Sequence, residues 1–363
     1  MKTHFSIAVF NGDGIGPEIM APTISALKVL QAKTSRYQFS FNELPAGAQH
    51  FADTGQSLPG ESLQEARLAD AILLSAMGLP SVRYDDGTEI SPQIELRKEL
   101  SLYAGVRPVR VSHGQPTPLA LKPDTTIDFV LIRESTEGLF YSQGIGTVTE
   151  DHATETLKIT RETSNKLFRF AFNLAKQRQL HNGRKSKVTC VDKANVFRAF
   201  AFFRELFEAE AKKHTDIEHD SIYVDATALW MVQKPWMFDV LVTENMFGDI
   251  LSDLGAGLMG GLGLAPSADI GDQHAVFQPC HGSAPDIAGN NTANPFAMIL
   301  SAAMMLDWLG VKHENQALIN DGHSLREAVY SVVRDGTQIT ADLGGNASTT
   351  QASEAVFKAL KAA

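Results

Sequence analysis

Short apolar runs alternate with longer segments of helical period along most of the chain. Strand-like runs fall at 7–10, 71–75, 127–132, 187–191, 222–224 and 238–242. Between them, the residues after Pro17 and the segments 161–178 and 195–212 read as helices. That rhythm predicts an α/β architecture. Within 161–178, Leu167, Phe170, Ala171 and Leu174 share one stripe, which predicts a core-facing helix rather than a cofactor-binding face. The apolar segment 297–309 is interrupted by Asp307 and is too short for a membrane span, so a buried helix is expected there. No repeat, low-complexity tract or proline-rich linker marks a domain boundary, which suits a chain that crosses between two domains more than once.

Composition adds exclusions. The chain has 363 residues, 44% of them hydrophobic and 20% charged, enough for a sizeable core. Its net charge of −10 argues against nucleic acid or an anionic membrane as partner, since both require a basic surface. An acidic protein that binds a small anion must concentrate its arginines locally. The two cysteines, Cys190 and Cys280, do not make a disulfide framework. The first residues lead into a strand without a signal-peptide pattern, so a cytoplasmic location is expected. The basic turn 181–187 reads as a solvated loop rather than a binding patch.

The run from Val242 to Asp253 carries the most chemistry. An apolar strand passes into a helical segment bearing Asp249 and Asp253, four residues apart and therefore on one face. No Lys or Arg lies between them to offset their repulsion, and hard oxygen ligands suit Mg²⁺ or Mn²⁺. A solvated helix face is the alternative reading. The turn 11–18, Asn-Gly-Asp-Gly-Ile-Gly-Pro-Glu, follows the first strand, with glycines at every second position and Pro17 placed for a helix start. It is neither a Rossmann fingerprint nor a P-loop. Both a plain tight turn and close backbone approach to a ligand remain open. Arg97, Arg107 and Arg133 each offer a fork for carboxylates. Arg133 ends a strand, where ligands bind in open α/β sheets. Lys193 and Asp225 follow strands as well, and a lysine beside a divalent cation would have its pKa lowered and serve as a base. In the loop 281–289, an acid at position 286 that accepts both hydroxyls of an adenosine ribose would favour NAD over NADP.

Taken together these segments resemble the β-decarboxylating dehydrogenases that act on 3-isopropylmalate, isocitrate, homoisocitrate and D-malate or tartrate. The resemblance rests on Gly12–Glu18, Leu96-Arg97, Val106-Arg-Pro108, Arg133-Glu-Ser-Thr-Glu-Gly138, Asp192-Lys-Ala-Asn195, Asn245–Asp253 and His281-Gly-Ser-Ala-Pro-Asp286. It implies an isocitrate/isopropylmalate dehydrogenase-like fold rather than a Rossmann fold. Residues 1–102 with 259–363 would form a large NAD-binding domain. Residues 103–258 would form a smaller domain carrying the dimer interface, with the active site in the cleft between the two. By the same resemblance, Arg97, Arg107 and Arg133 clamp the malate carboxylates, Tyr141 and Lys193 are catalytic, and Asp225, Asp249 and Asp253 bind Mg²⁺ or Mn²⁺. Ile15, His281, Gly282, Ser283, Ala284, Pro285, Asp286, Ile287 and Asn294 would hold NAD. Lys193 and Asp225 would serve the neighbouring subunit's site, so a homodimer is implied.

The substituent on the malate core is read by the helix before Arg97. The chain lacks the leucines and the upstream Gly-Pro-Lys-Trp-Asp stretch of isopropylmalate enzymes. Ser91 and Gln93 fall where isocitrate enzymes carry polar residues, whereas Ile90, Ile94 and Val196 suit an alkyl group. The expectation is an isopropylmalate-type enzyme, with NAD-dependent isocitrate or D-malate/tartrate dehydrogenase as alternatives. A metal-dependent hydrolase or a catalytically silent NAD-binding protein is the reading from a different class.

Overall fold

The computed structural model describes residues 2–122, 125–183 and 185–362; Arg184 of the basic turn lies outside them. Ten strands form one sheet: β1 (His4–Phe10), β2 (Gln38–Glu43), β3 (Ala71–Leu74), β4 (Ala104–Val111), β5 (Ile127–Glu134), and, after the hairpin β6 (Thr147–Val148) and β7 (Ala153–Thr154), β8 (Lys187–Asp192), β9 (Glu218–Tyr223), β10 (Val240–Thr243), β11 (Pro266–Ile270) and β12 (Ala275–Pro279). Their order across the sheet is β2-β1-β3-β12-β11-β4-β5-β10-β8-β9. The outer strands pair in parallel, while the centre, β12-β11-β4-β5, is antiparallel. Strands from the chain's beginning and end fill one half of the sheet, and strands from its middle fill the other. The halves meet where Ala268, Asp269 and Ile270 pair with Val106, Gly105 and Ala104.

Every residue of β3, β10, β11 and β12 is buried, so both sheet faces are covered at these strands. The helix Arg161–Asn182 packs on β5, β8 and β10. Its fully buried residues are Leu167, Phe168, Ala171, Phe172 and Ala175, so the core stripe is turned about one residue from the predicted one, with Phe170 and Leu174 at its margin. Phe168 meets Phe203 and Phe207 edge to face, locking this helix to Arg198–Ala211. The helix Phe296–Lys312 is buried along most of its length, as expected for 297–309. Among the described residues no helix is long and apolar enough to cross a membrane. In the basic turn, Lys185 and Lys187 are paired with Glu218 and Asp220 of β9.

Six strands, β2, β4, β11 and β12 of the large sheet and the hairpin β6–β7, do not follow from the apolar pattern. β4 is interrupted by Arg107, Pro108 and Arg110, and β11 by Ser267 and Asp269. β9 starts earlier than predicted, and Val224 already begins the next helix.

Candidate active site

The antiparallel centre of the sheet gathers the arginines. Across three adjacent strands, Asp269, Gly105 and Arg133 lie in one row. Gly105 has to be side-chain-free, because a Cβ there would sit 2.5 Å from Ser135 Oγ and 3.1 Å from Asp269 Oδ1. Asp269 is fully buried. It accepts from Arg97 Nε at 2.9 Å, Arg107 Nη2 at 3.3 Å, Gln278 Nε2 at 2.6 Å and Ser135 Oγ at 3.3 Å. Burial alone would raise its pKa, but Arg97, Arg107 and Arg133 hold it down at about 2. Arg107 Nη1 donates to the carbonyls of Val106 and Ala268. Arg97 has no hydrogen-bond partner besides Asp269 among the described residues, so both its terminal nitrogens remain available.

Arg133 is positioned from the other side. The parallel pairing of Thr243 with Arg133 delivers the start of the helix Asn245–Leu258 beside it. Asn245 Oδ1 accepts from Arg133 Nε at 2.8 Å and from Nη2 at 2.6 Å, and Asn245 Nδ2 donates to the Glu137 carbonyl at 2.9 Å. Arg133 Nη1 pairs with Asp249. Asp249 therefore does have a cationic partner, supplied by β5 rather than by its own helix. Burial and the nearby Arg97 guanidinium lower the Arg133 pKa to about 10, so an anion bound here would be stabilised. One turn on, the Asp253 pKa is raised by partial burial and by Asp249. The Asp253 charge, disfavoured by partial burial and by Asp249 on the same helix face, fits a site completed by a divalent cation.

Lys193 and Asp225 stand apart from this group. Lys193 Nζ donates to Asp225 Oδ1 at 2.6 Å, and Asp225 lies, exposed, in the first turn of the helix Val224–Gln233. Neither is bonded to Asp249, Asp253 or the arginines, and no three His, Cys, Asp or Glu side chains come together in a metal-binding group among the described residues. One chain thus presents two separate half-sets. Tyr141 sits on the short helix Leu139–Ser142, half exposed, with Lys158 Nζ 4.2 Å from its ring centre.

The glycine turn packs against the 281–289 loop. A Cβ on Gly14 would lie 2.0 Å from the Ser283 carbonyl oxygen, so the two backbones touch only because Gly14 is glycine. Ile15 N donates to that carbonyl at 2.8 Å, and Ser283 Oγ donates to the Gly78 carbonyl. Asp13 is spent on structure: its carboxylate accepts from the backbone N–H groups of Ala48, Gln49 and Gly78. Glu18 accepts from Gly289 N and Ala293 N, holding the loop's far end. Gly282, Pro285 and Asp286 are exposed, Ala284 and Ile287 partly so, and Ala284 takes a positive φ of 36°. His281 Nδ1 contacts the Gly282 carbonyl, while its Nε2 is buried without a partner. Asn294 Nδ2 donates to Asp342 at 3.0 Å and its Oδ1 accepts from Phe296 N at 2.9 Å, starting the next helix. A buried, unpaired imidazole nitrogen in the same loop as the exposed Asp286 fits a dinucleotide.

Of the specificity residues, Ser91 precedes the helix Pro92–Glu99, Gln93 and Ile94 are half-buried on it, and Val196 is exposed. Ile90 is fully buried and offers no surface to a substrate in this conformation. Gln93 Oε1 is buried without a hydrogen-bond partner. Sequence reasoning passed over Asp269 and Asp342, and it named Asn245 and Glu18 only within motifs, without giving them a role. The signal for Asp269 was present, since an acid inside the strand Pro-Ser-Ala-Asp-Ile must find a cation when both faces are covered.

The family model for isocitrate/isopropylmalate dehydrogenase matches residues 6–356. The 3-isopropylmalate/3-methylmalate dehydrogenase of Methanocaldococcus jannaschii is 42% identical over 357 residues, covering 98% of each chain. The homoisocitrate dehydrogenase of the same organism is 40% identical over 362 residues, covering 98% of this chain and 97% of that one. A crystal structure of isocitrate dehydrogenase from Methylococcus capsulatus aligns with a TM-score of 0.84 and 35% identity, over 98% of this chain and 99% of that one. With the arginine cluster and the paired helix carboxylates in place, these matches agree on one conclusion: the chain belongs to the isocitrate/isopropylmalate dehydrogenase family, a family of β-decarboxylating oxidoreductases.

Proposed function

We propose that the protein carries out NAD-dependent oxidative decarboxylation of a 3-alkyl-substituted D-malate, with 3-isopropylmalate as the reference substrate. The observation that carries this reading is the meeting of Arg97, Arg107 and Arg133 around Asp269, next to the Asp249–Asp253 helix face. Three guanidiniums gathered around one buried carboxylate leave positive charge and forked donors over for the carboxylates of a ligand. The name of one relative from Methanocaldococcus jannaschii, 3-isopropylmalate/3-methylmalate dehydrogenase, points to the same substrate class.

Arg97, Arg107 and Arg133 bind and orient the two carboxylates of the malate core. Asp249 and Asp253, with Asp225 of a second copy, would hold a divalent cation, which when bound would supply Lewis acidity for the hydroxyl oxidation and for the charge developing on loss of carbon dioxide. Ile15, the loop 281–287 and Asn294 would hold NAD, which would supply the hydride acceptor, and Asp286 would serve as acceptor for its ribose hydroxyls. Lys193 takes the hydroxyl proton, and Tyr141 returns a proton to the carbon that has lost carbon dioxide. A cavity of about 240 Å³ lined by Leu264, Ile339, Asp342 and Leu343 has in its wall Asp342, which accepts from Asn294 Nδ2, and this supports an adenine seat there.

The separation of Lys193–Asp225 from Asp249–Asp253 supports a homodimer in which each copy completes the other's site. Leu229, Val232 and Ile250, exposed on the two helices concerned, favour burial against a second copy. The distribution of strands supports two domains, 1–102 with 259–363 and 103–258, with substrate in the cleft between them. A cytoplasmic location goes with this metabolic role. The buried, unpartnered Gln93 Oε1 favours a second reading, a hydroxyl at the third position as in tartrate, because such an acceptor gains from a donor.

NADH formation across 3-isopropylmalate, isocitrate, D-malate and D-tartrate with Mg²⁺ or Mn²⁺ tests both. The alkyl reading expects 3-isopropylmalate to have the highest kcat/KM. Tartrate in first place selects the second reading, and isocitrate ahead by tenfold refutes both.

A further inference from the structure

We propose that Asp269 sets the charge of the ligand this arginine cluster accepts, matching it to a dicarboxylate and against a tricarboxylate. The inference rests on the reading of Arg97, Arg107 and Arg133 as the carboxylate clamp.

Orienting two guanidiniums requires only a hydrogen-bond acceptor, which a neutral amide or a backbone carbonyl supplies. The chain instead buries a full carboxylate there, with no solvent exposure and bonds to both Arg97 and Arg107. A buried charge is costly unless paired, and this one is paired at the expense of the clamp. The cluster holds three guanidinium charges and one fixed carboxylate, leaving two positive charges for a ligand. That is the charge a malate core neutralises with its two carboxylates. Asp249, Asp253 and Asp225 stay outside this count, because the same reading sets their three charges against a divalent cation and Lys193, the partner of Asp225. A third carboxylate would lie against Ser91, Gln93 and Ile94, which are uncharged, and Gln93 presents a buried oxygen. Asp269 thereby acts through Arg97 and Arg107 as a positioning and charge-setting residue without touching substrate itself. Gln278, which donates to Asp269 at 2.6 Å, marks the neighbouring position where a carboxylate could replace it in the same network.

The test is calorimetric binding of tricarballylate and of succinate, unreactive ligands with three and two carboxylates, to the full chain with Mg²⁺. Asp269→Asn is expected to raise the affinity for tricarballylate relative to succinate by about tenfold or more, as one charge added within a partly buried cluster requires. The ratio of kcat/KM for isocitrate over 3-isopropylmalate should move the same way. Asp269→Asn combined with Gln278→Glu returns a carboxylate to the cluster and should restore the original ratio. Gln278→Glu alone adds a charge and should weaken tricarballylate further, which keeps the proposal testable if Asp269→Asn does not fold. An unchanged ratio in folded Asp269→Asn, a shift that the double variant leaves in place, or no effect of Gln278→Glu each overturns it. If the wild type binds both ligands in the expected order but oxidises none of the malates, the proposed reaction fails while the charge assignment stands. If it binds neither ligand, both fall.

Discussion

Asn245→Ala removes one of the two side chains, Asn245 and Asp249, that hold Arg133 from the helix side. Arg133 is 4% exposed, and two of its guanidinium nitrogens, Nε and Nη2, donate to Asn245 Oδ1 at 2.8 and 2.6 Å. Hydrogen bonds to a charged group contribute about 1.5–3 kcal/mol each, but two that share one acceptor do not add fully, so a loss of about 3 kcal/mol is expected. Alanine also frees the Glu137 carbonyl, which receives Asn245 Nδ2. Arg133 would respond by swinging toward Asp249, its remaining partner. That motion spoils the clamp and occupies a carboxylate the cation needs. If the whole term appears in substrate recognition, kcat/KM for the best malate falls by about a hundredfold. Because a carboxylate clamp holds ground state and transition state alike, most of the loss should appear in KM. Steady-state kinetics and a thermal melt give the readouts. A variant with KM within threefold of wild type and an unchanged melting temperature would refute the assignment of Asn245 as the support of Arg133.

Asp286→Lys with Ile287→Tyr should weaken NAD by roughly 1.5–3 kcal/mol through loss of a charge-assisted bond and shift preference toward NADP; equal use of both coenzymes by the wild type would contradict the role given to Asp286. A chelator should abolish turnover and Mg²⁺ or Mn²⁺ restore it, and exchanged mixtures of inactive Lys193→Ala and Asp249→Asn chains should regain activity, since one site of each mixed dimer is intact; no recovery after verified exchange counts against shared sites. Asp269 is held at about 2 against an ordinary 3.8, so its pairing stabilises the fold above pH 3.8 and is lost as pH falls toward 2. At 1.36 kcal/mol per unit this is on the order of 2 kcal/mol, and urea unfolding at pH 5 and pH 3 should show a smaller acid loss for Asp269→Asn than for wild type. Equal losses would mean the carboxylate is not stabilised by its arginines.

The sequence alone determined whatever depends on local period. The i, i+4 placement of Asp249 and Asp253, the passage from β10 into their helix, the buried 297–309 segment and the strands β1, β3, β5, β8 and β10 follow from repeats of 3.6 and 2 along the chain. These repeats are set by covalent geometry within a few residues, so they are legible without knowing what packs where. The family motifs extended that reach to the arginines and the 281–289 loop.

Only the tertiary structure decided what those residues face. β4 and β11 carry Arg107, Pro108, Ser267 and Asp269 in buried strands, and their polar letters conceal them until the antiparallel pairing brings Asp269 beside Gly105 and Arg133. Asn245 looks like an ordinary residue at a helix start until the parallel register of β10 on β5 sets it against Arg133. Ile90 suited a substrate pocket by its chemistry, but packing leaves it no exposed surface. A charge or an amide acquires its role from partners more than a hundred residues away, and lateral strand order, unlike local period, is settled only when the whole sheet closes over its core.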